Sequence, residues 1–305
     1  MASPITINSV PNEILISILS FFPSRSLLPL SAVSHRFSSV ILRILRQRLV
    51  KAASLPDHRL ILECYHPADK LSTPYLYCDY LWTDGIDDAS TKSAVIEGQG
   101  SPDLSLSALG RAYSHFCPVK QEENRRGRRR YPRQAEAQDD GQGSTGSTSK
   151  FAGANSHDEL PDAPADTVYL DQGELFSQLC TVTNLVKLGP KPGLFLSHIN
   201  VNDGLIRVWR DWLAAQATDH SAAAQAPILW ADTHQTVGVR FRVQQISQLW
   251  ENMPLLMEAM DEPPVIYRLV FEELVVRSGR LLLMVEASEK QEVTTSGKAI
   301  VIASM

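Results

Sequence analysis

Residues 10–22 read VPNEILISILSFF, and this stretch carries the strongest structural signal in the chain. Its apolar residues recur at intervals of three and four positions, which places them on one face of an amphipathic helix. They are Ile14, Leu15, Ile18, Leu19 and Phe22. Pro11 suits the first helical turn, where its missing N–H costs nothing, and Glu13 suits the positive end of the helix dipole. The stretch therefore predicts an N-terminal helix with one apolar face.

Two more short helices are predicted directly after it. Ser26 can cap the second helix, with Pro29 in its first turn, where an absent donor is harmless. Ser34 can cap a third helix, whose apolar face consists of Phe37, Val40, Ile41, Ile44 and Leu45. Helices this short hold more apolar surface than they can bury among themselves. Another surface must therefore cover the excess, either that of a partner or that of the rest of this chain.

This pattern resembles an F-box. The family reads roughly Leu-Pro-x-Glu-(Ile/Leu)-Leu-x-x-Ile-Leu-Ser-(Phe/Tyr)-Leu, followed by a Leu-Leu pair and by Val-Ser-x-x-(Trp/Phe). The matching residues here are Val10-Pro11, Glu13-Ile14-Leu15, Ile18-Leu19-Ser20-Phe21, Leu27-Leu28, Val33-Ser34 and Phe37. The departures are mild, such as Val10 in place of Leu and Phe37 in place of Trp. The resemblance assigns an F-box to residues 8–53.

The resemblance also implies partners. An F-box docks on the Skp linker subunit of an SCF-type ubiquitin ligase, and through Skp on cullin, while the rest of the chain holds the protein substrate. The chain would then be a non-catalytic adaptor. The residues that the resemblance assigns to the Skp contact are Pro11, Ile14, Leu15, Ile18, Leu19, Leu27, Leu28, Val33 and Phe37. Beyond the F-box, the likeness extends only to fungal-type F-box proteins of this layout and indicates no particular substrate.

Composition narrows the classes of function. The net charge of −5 gives no reason to expect nucleic acid or an anionic membrane as a partner. No run of about twenty apolar residues occurs, so no membrane span is predicted, and the N-terminus lacks the pattern of a signal peptide. The four cysteines show no paired spacing, which favours reduced thiols over a zinc knuckle or a disulfide framework. We expect a soluble protein of the cytoplasm, the nucleus or both.

The region from residue 57 to residue 305 is rich in strand signals. Residues 59–65 and 75–82 form apolar or aromatic runs bounded by Pro, Asp and Gly. Alternating apolar residues mark two further strands, at residues 237–243 and 265–271. Short strands at these intervals, without long helices between them, predict an α+β protein. A three-helix F-box would be followed by a mainly antiparallel β-sandwich or barrel-like domain.

Two turn signals within this region predict hairpins. Asp203-Gly204 lies between two apolar runs, which is a strong hairpin signal. Ser278-Gly279 separates two apolar runs in the same way, so residues 280–285 are predicted to form a strand. Helical patterns interrupt the strands only at residues 209–217 and 243–260.

Residues 118–166 differ in composition from their surroundings. An Arg-rich run at residues 125–130 precedes an acidic stretch rich in Gly, Ser and Thr that offers little to bury. Ordering such a segment would cost backbone entropy with little return, so it is predicted to be a disordered insertion within the β-rich domain. The Arg-rich run is a nuclear-localisation signal or a polyanion contact or, more simply, a solvated part of this loop.

Catalytic motifs are not evident. The sequence has no Gly-rich phosphate loop, no His-Glu-x-x-His and no Gly-x-Ser-x-Gly, and we predict no cofactor and no metal site. Trp209, Arg210 and Trp212 stand together after the predicted hairpin. They are the candidate substrate-binding residues, because Trp and Arg are enriched among binding anchors. The alternative makes both Trp residues part of the core and Arg210 a solvated side chain.

Three functions stay open at this point. The first is a substrate-recognition adaptor of an SCF-type ligase, and the second is an adaptor that works with Skp outside any ligase. The third is a ligand-binding or sugar-binding β-sandwich, or an unrecognised hydrolase, with a helical N-terminal extension. Co-purification with Skp and cullin, with Skp alone or with neither separates the three.

Overall fold

The computed structural model describes eight ranges of the chain. They are residues 7–70, 73–84, 105–120, 163–190, 194–218, 226–246, 263–294 and 300–301. Helix α1 spans Asn12–Ser20, α2 spans Ser24–Leu30 and α3 spans His35–Ala53, with a 3₁₀ turn at Ile7–Ser9 before them. The three helices predicted for the N-terminal region are therefore confirmed.

The beginnings of α2 and α3 differ in how they are capped. Ser34 caps α3 as predicted, because its hydroxyl accepts a hydrogen bond from the Phe37 amide at 3.3 Å. The predicted beginning of α2 is wrong, since the helix starts at Ser24 and Pro29 lies in its last turn. Its cap is the carboxylate of Glu286, 262 positions further along the chain. No local sequence signal reveals a cap that comes from so far away.

Ten strands of the described residues form one sheet. They are β1 (His58–Tyr65), β2 (Leu76–Thr83), β3 (Tyr113–Lys120), β4 (Ala165–Leu170), β5 (Phe176–Leu188), β6 (Leu194–Trp209), β7 (Leu229–Trp230), β8 (Val237–Gln245), β9 (Val265–Arg277) and β10 (Ile300–Val301). Three further helices accompany them: α4 (Leu106–Leu109), α5 (Arg210–Thr218) and α6 (Ser278–Thr294). A 3₁₀ turn at Pro67–Asp69 follows β1.

The sheet curves until its two ends nearly meet. Its strand order is β10-β6-β5-β1-β2-β3-β9-β8-β7, every pairing is antiparallel, and β4 joins β9 beside β3. The Leu205 amide on β6 donates a hydrogen bond of 3.1 Å to the carbonyl oxygen of Ala231, directly after β7. The β domain is therefore nearly barrel-shaped, and the predicted antiparallel β domain is confirmed.

The interior of this barrel is filled by one face of each strand. In β8, Val239, Phe241 and Val243 are buried, while Arg240 and Arg242 lie on the outer face between them. Successive side chains of a strand point to opposite faces, so this alternation buries half of the strand and leaves half outside. The alternation that predicts β8 from the sequence is thus confirmed.

The predicted hairpin at Asp203-Gly204 is wrong, because β6 continues through both residues. A Cβ atom added to Gly204 would lie 2.2 Å from the carbonyl oxygen of Ala231 and 2.8 Å from its carbonyl carbon. Glycine is needed here for the close approach of another main chain rather than for a turn. The dipeptide therefore marks the place where the two ends of the sheet meet.

The strand predicted at residues 280–285 is also wrong, since these residues lie in helix α6, which begins directly after β9. Leu281, Met284 and Ser288 are buried at helical spacing. A short continuous apolar run fits a buried strand and a buried helix equally well, and only the longer pattern decides. Here that pattern extends over two turns, as far as Ser288.

The two helical predictions in the β domain have different outcomes. The helix predicted for residues 209–217 is confirmed as α5. The one predicted for residues 243–260 is wrong at its start, because residues 243–245 end strand β8. Residues 247–262 lie outside the described residues. None of the helices in the described ranges combines the length and the apolar character that crossing a membrane requires.

The predicted disordered insertion at residues 118–166 is shorter at both ends than its composition suggests. Strand β3 reaches Lys120, and strand β4 already begins at Ala165. Both ends of the predicted segment are therefore paired strands. Residues 121–162 lie outside the described residues, and the prediction of disorder there stays a prediction.

The N-terminal helices pack directly on the β domain. Their apolar core also contains Leu109, Ala112 and Leu282 from the rest of the chain. Helix α6 contributes to both cores, since Leu281 and Met284 lie in the barrel interior while Leu282 packs among the N-terminal helices. The chain itself thus covers part of the apolar excess that these helices carry.

Candidate protein-interaction site

An apolar stripe along α1 stays exposed. Ile14 and Ile18 of α1 are followed at the same helical spacing by Phe21, the residue directly after the helix, so the three lie on one side of it. Their exposed fractions are 51%, 46% and 90%. Adjacent apolar side chains that remain in water at this level mark an interaction surface. We call these three residues the α1 stripe.

The opposite side of α1 is buried within the N-terminal core. Leu15 and Leu19 are almost inaccessible, and they pack in one cluster with Leu27 and Phe37. The sequence places these four among the Skp contacts, and the structure corrects this assignment. Their side chains point into the interior, so a partner cannot touch them in this conformation. They support the exposed residues by holding the three helices together.

The other predicted contact residues lie on the surface. Pro11 precedes α1, Leu28 lies on α2, and Val33 lies in the connection from α2 to α3. Leu28 and Val33 are both at least half exposed. The predicted set lacks Phe21, although its spacing from Ile14 and Ile18 is a usable signal.

A cleft of about 430 Å³ lies between the N-terminal helices and the β domain. Phe21 and Phe22 line it beside basic residues of α3, and Glu286 and Glu289 line it from α6. Because the lining carries both signs of charge, the cleft by itself does not favour one class of ligand.

Arg210, one of the three predicted substrate contacts, is not available at the surface. Only 7% of it is exposed. Its guanidinium donates to the carbonyl oxygens of Asp171, Glu174 and Pro263 at 2.6, 2.7 and 2.9 Å. These bonds tie two main-chain segments, the turn at residues 171–174 and the residues just before β9, to the start of α5. We therefore correct Arg210 from a recognition residue to a structural one.

Trp209 and Trp212 are separated by the structure. Trp212 packs against the barrel interior, as the core alternative expects. Trp209 is 48% exposed, and its ring centroid lies 5.0 Å from that of Phe176 on β5. The guanidinium carbon of Arg207 lies 5.6 Å from the same Phe176 centroid, and the exposed Leu175 precedes it. We call Leu175, Phe176, Arg207 and Trp209 the Trp209 surface.

A cluster of charged groups around the buried His115 and Glu273 lies outside the barrel, and no sequence motif indicates it. His115 on β3 places Nδ1 2.8 Å from Glu273 Oε1 and Nε2 3.1 Å from Asp84 Oδ2. Arg240 pairs with the other oxygen of Glu273, and the Trp82 ring stacks on the imidazole at 4.8 Å. Burial lowers the pKa of His115, but the hydrogen bonds and charges of Glu273 and Asp84 outweigh it, so the pKa is raised above its ordinary value. The cluster braces neighbouring strands through charges that satisfy one another.

Two other groups that could take part in chemistry, Arg242 and Cys64, are engaged in packing. Arg242 pairs with Glu272 at 2.6 Å, so the outer basic face of β8 is largely neutralised. Burial raises the pKa of the Cys64 thiol to about 12, which keeps this thiol protonated and unreactive. Among the described residues, no group of three or more His, Cys, Asp or Glu is arranged to hold a metal ion.

Comparison with known protein families matches residues 7–51 to the F-box-like family. Searches of curated proteins and of solved structures found no significant match. The matched residues contain α1, α2, nearly all of α3 and the whole α1 stripe, while the β domain lies outside the match. F-box domains are in general non-catalytic adaptors that bind Skp. The fungal type indicated by the sequence stays a prediction. The chain thus carries an F-box-like domain at its N-terminus, followed by a nearly barrel-shaped antiparallel β domain.

Proposed function

We propose that this chain is a substrate-recognition adaptor of an SCF-type ubiquitin ligase. Its F-box-like domain binds the Skp linker subunit, Skp connects it to cullin, and the β domain holds a protein substrate. The transfer of ubiquitin belongs to other subunits, so the chain itself forms no covalent bond with the substrate. The observation that carries this proposal is the exposed α1 stripe within the matched residues.

The energetics of the α1 stripe favour a protein partner. Covering apolar surface is worth roughly 25 cal/mol per Å². Ile14, Ile18 and Phe21 each have about half or more of their surface exposed to water. Central apolar anchors of an interface each contribute about 2 kcal/mol or more. A partner that covers Ile14 and Ile18 together would therefore gain about 4 kcal/mol from these two side chains, roughly half of what a micromolar complex requires.

The β domain supports the second half of the proposal, because binding residues are best positioned by a rigid scaffold. The Trp209 surface offers aromatic rings beside an arginine, the residue types most enriched among binding anchors. Within the predicted trio, this leaves Trp209 as the substrate contact. Arg210 and Trp212 hold the local backbone and core beneath it.

Co-purification of the tagged full chain tests the proposal. Recovery of Skp together with cullin supports the ligase adaptor. Recovery of Skp alone supports an adaptor outside a ligase. Recovery of neither contradicts both and favours a ligand-binding β protein with a helical extension. The variant Ile14→Asp/Ile18→Asp should lose the partners, whereas Leu188→Asp, an exposed leucine at the end of β5, should keep them.

A second experiment tests the substrate surface. The Ile14→Asp/Ile18→Asp variant cannot join the ligase, so it should retain substrates that would otherwise be degraded. Adding Trp209→Ala to this background should remove the substrate from the captured proteins. Adding Trp82→Ala is the matched control, because Trp82 is about as exposed but stacks on His115. Identical captured sets from the two variants would contradict the assignment of Trp209.

A further inference from the structure

Helix α6 lies between the two parts of the molecule and belongs to both. Leu281 and Met284 fill the barrel interior, Leu282 is part of the F-box core, and Val285 packs against both clusters. A helix held in this way cannot rotate or shift without disturbing two cores. It therefore presents its next residue, Glu286, to the F-box from a fixed position.

Glu286 supplies the cap that α2 lacks. The Ser24 amide, the first of this helix, donates to the two carboxylate oxygens at 3.1 and 3.2 Å, and the Ser24 hydroxyl donates to Oε1 at 2.6 Å. Pro23, the residue at the N-cap position, makes no side-chain cap. The first amides of a helix need acceptors, and a carboxylate also suits the positive end of the helix dipole. A helix of seven residues is too short to be stable without such support.

The same carboxylate also reaches the other two F-box helices through Arg48 of α3. Arg48 Nη1 donates to Glu286 Oε1 at 3.2 Å and to the Ser24 hydroxyl at 3.0 Å. Its Nη2 donates to the carbonyl oxygen of Ser20, the last residue of α1, at 2.8 Å. The side chains of Arg48 and Glu286 are only 21% and 18% exposed, so water weakens this network little. Glu286 thus contacts α2 and α3 directly, and Arg48 extends this network to the end of α1.

These contacts sit beside the residues that the proposed function assigns to Skp. Phe21 directly follows Ser20, and Leu28 lies one turn after Ser24 on α2. We propose that Glu286 is a positioning residue for Skp binding, an inference that rests on the proposed function. It acts through Ser24 and Arg48 and sets the placement of α2 and of the end of α1 before Skp arrives. Skp affinity therefore depends on helix α6 of the β domain as well as on the F-box-like helices.

The inference predicts a particular kinetic signature. Without Glu286, α2 spends more time displaced, and only the fraction of molecules with α2 in place can bind. The apparent dissociation constant rises by the inverse of that fraction, so a competent fraction of about one tenth weakens binding about tenfold. The contacts in the complex remain the same, so the loss appears in the association rate. Removing a direct contact, as in Leu28→Ala, should instead raise the dissociation rate.

The test measures association and dissociation of the full chain on immobilised Skp. Glu286→Ala should slow association about tenfold and leave dissociation unchanged. Glu289→Ala is the matched control. Glu289 lines the same cleft one helical turn after Glu286, so this variant removes an equal charge and should change neither rate. Glu286→Gln keeps an acceptor for Ser24 and should recover much of the association rate. The melting temperature of each variant is measured as well, to show that the binding experiment is done well below the temperature at which the variant unfolds.

Each other outcome overturns a defined statement. Equal association rates for wild type and Glu286→Ala would contradict the positioning role, as would a change confined to dissociation. If Glu286→Ala does not fold, Ser24→Ala carries the same comparison with a smaller perturbation, because it removes the hydroxyl that bonds both Glu286 and Arg48, and unchanged association would overturn the inference. A wild-type chain that does not bind Skp at all would instead refute the proposed function, so the two failures are distinguishable.

Discussion

The F-box-like helices and the β domain place apolar residues differently. On α1, Ile18 is exposed and its neighbour Leu19 is buried, so one helix serves both a surface and a core. On β8, the buried Phe241 alternates with Arg240 and Arg242, both paired with carboxylates of β9. The strand thus leaves little on its outer face for a partner, whereas the helix leaves a continuous apolar stripe.

Exposed apolar residues therefore carry different information on a helix and on a strand. Apolar residues of a helix cover a wide angle, and a helix packed on one side only must leave some of them in water. A strand buries alternate residues and can fill its outer positions with charged side chains. An exposed apolar stripe on α1 is therefore more informative about binding than an equally apolar strand would be.

Truncating two neighbouring leucines of α2 tests most strongly whether a helix separates core residues from surface residues. Leu27 is fully buried, so Leu27→Ala should lower the free energy of unfolding by about 2–5 kcal/mol. Leu28 is half exposed, and Leu28→Ala should change it by no more than about 0.5 kcal/mol. Chemical denaturation of the two variants measures both values. Similar losses would mean that the separation between core and surface on α2 does not hold.

A second pair of variants tests the closure of the β domain. Gly204→Ala places a methyl group against the main chain of Ala231 and should cost about 1–3 kcal/mol in the free energy of unfolding. Gly279→Ala is the control, because nothing lies within 4 Å of its added Cβ and its backbone is helical. That substitution should stabilise the chain by about 0.4–1 kcal/mol. Thermal melting of both variants measures these effects. A melting temperature of Gly204→Ala equal to that of wild type would contradict the close approach of β6 to Ala231.

The sequence predicts the parts of this fold that depend on local patterns. The apolar spacing of residues 10–22 and the Ser34 cap predict α1 and α3, and the alternation at residues 237–243 predicts β8. These predictions succeed because each element buries one face, and the spacing of its own apolar residues shows which face that is. The F-box resemblance rests on the same residues and is confirmed over residues 7–51.

The failures share a different cause, which is contact between distant segments. The sequence predicts a turn at Gly204 because Ala231, which contacts it in the folded structure, is distant in sequence. Arg210 reads as a surface anchor because the carbonyl groups that it binds come from loops around residues 171–174 and 263. The cap from Glu286 and the His115 cluster are likewise assembled only when strands and helices pack. Local periodicity contains no information on such contacts.

The smallest expected effect concerns the charged cluster outside the barrel. His115 has a raised pKa in the folded state, so its contribution to stability is complete below the unfolded value of about 6.5. That contribution is lost as the pH rises through the folded pKa. The melting temperature of wild type should therefore fall, relative to His115→Gln, as the pH is raised from 6 towards 8.5. His35→Gln, at the exposed start of α3, serves as control, and parallel pH profiles for wild type and His115→Gln would contradict the brace.

The most direct test of the central claim is the dissociation constant of the purified full chain for purified Skp. We expect that wild type binds and that Ile14→Ala/Ile18→Ala weakens binding by at least about a hundredfold, because two interface anchors of about 2 kcal/mol each are removed. Its melting temperature should stay near that of wild type, since both side chains are exposed. A dissociation constant unchanged by the double substitution, or a folded wild-type chain without affinity for Skp, would contradict the claim that the α1 stripe is the Skp-binding surface.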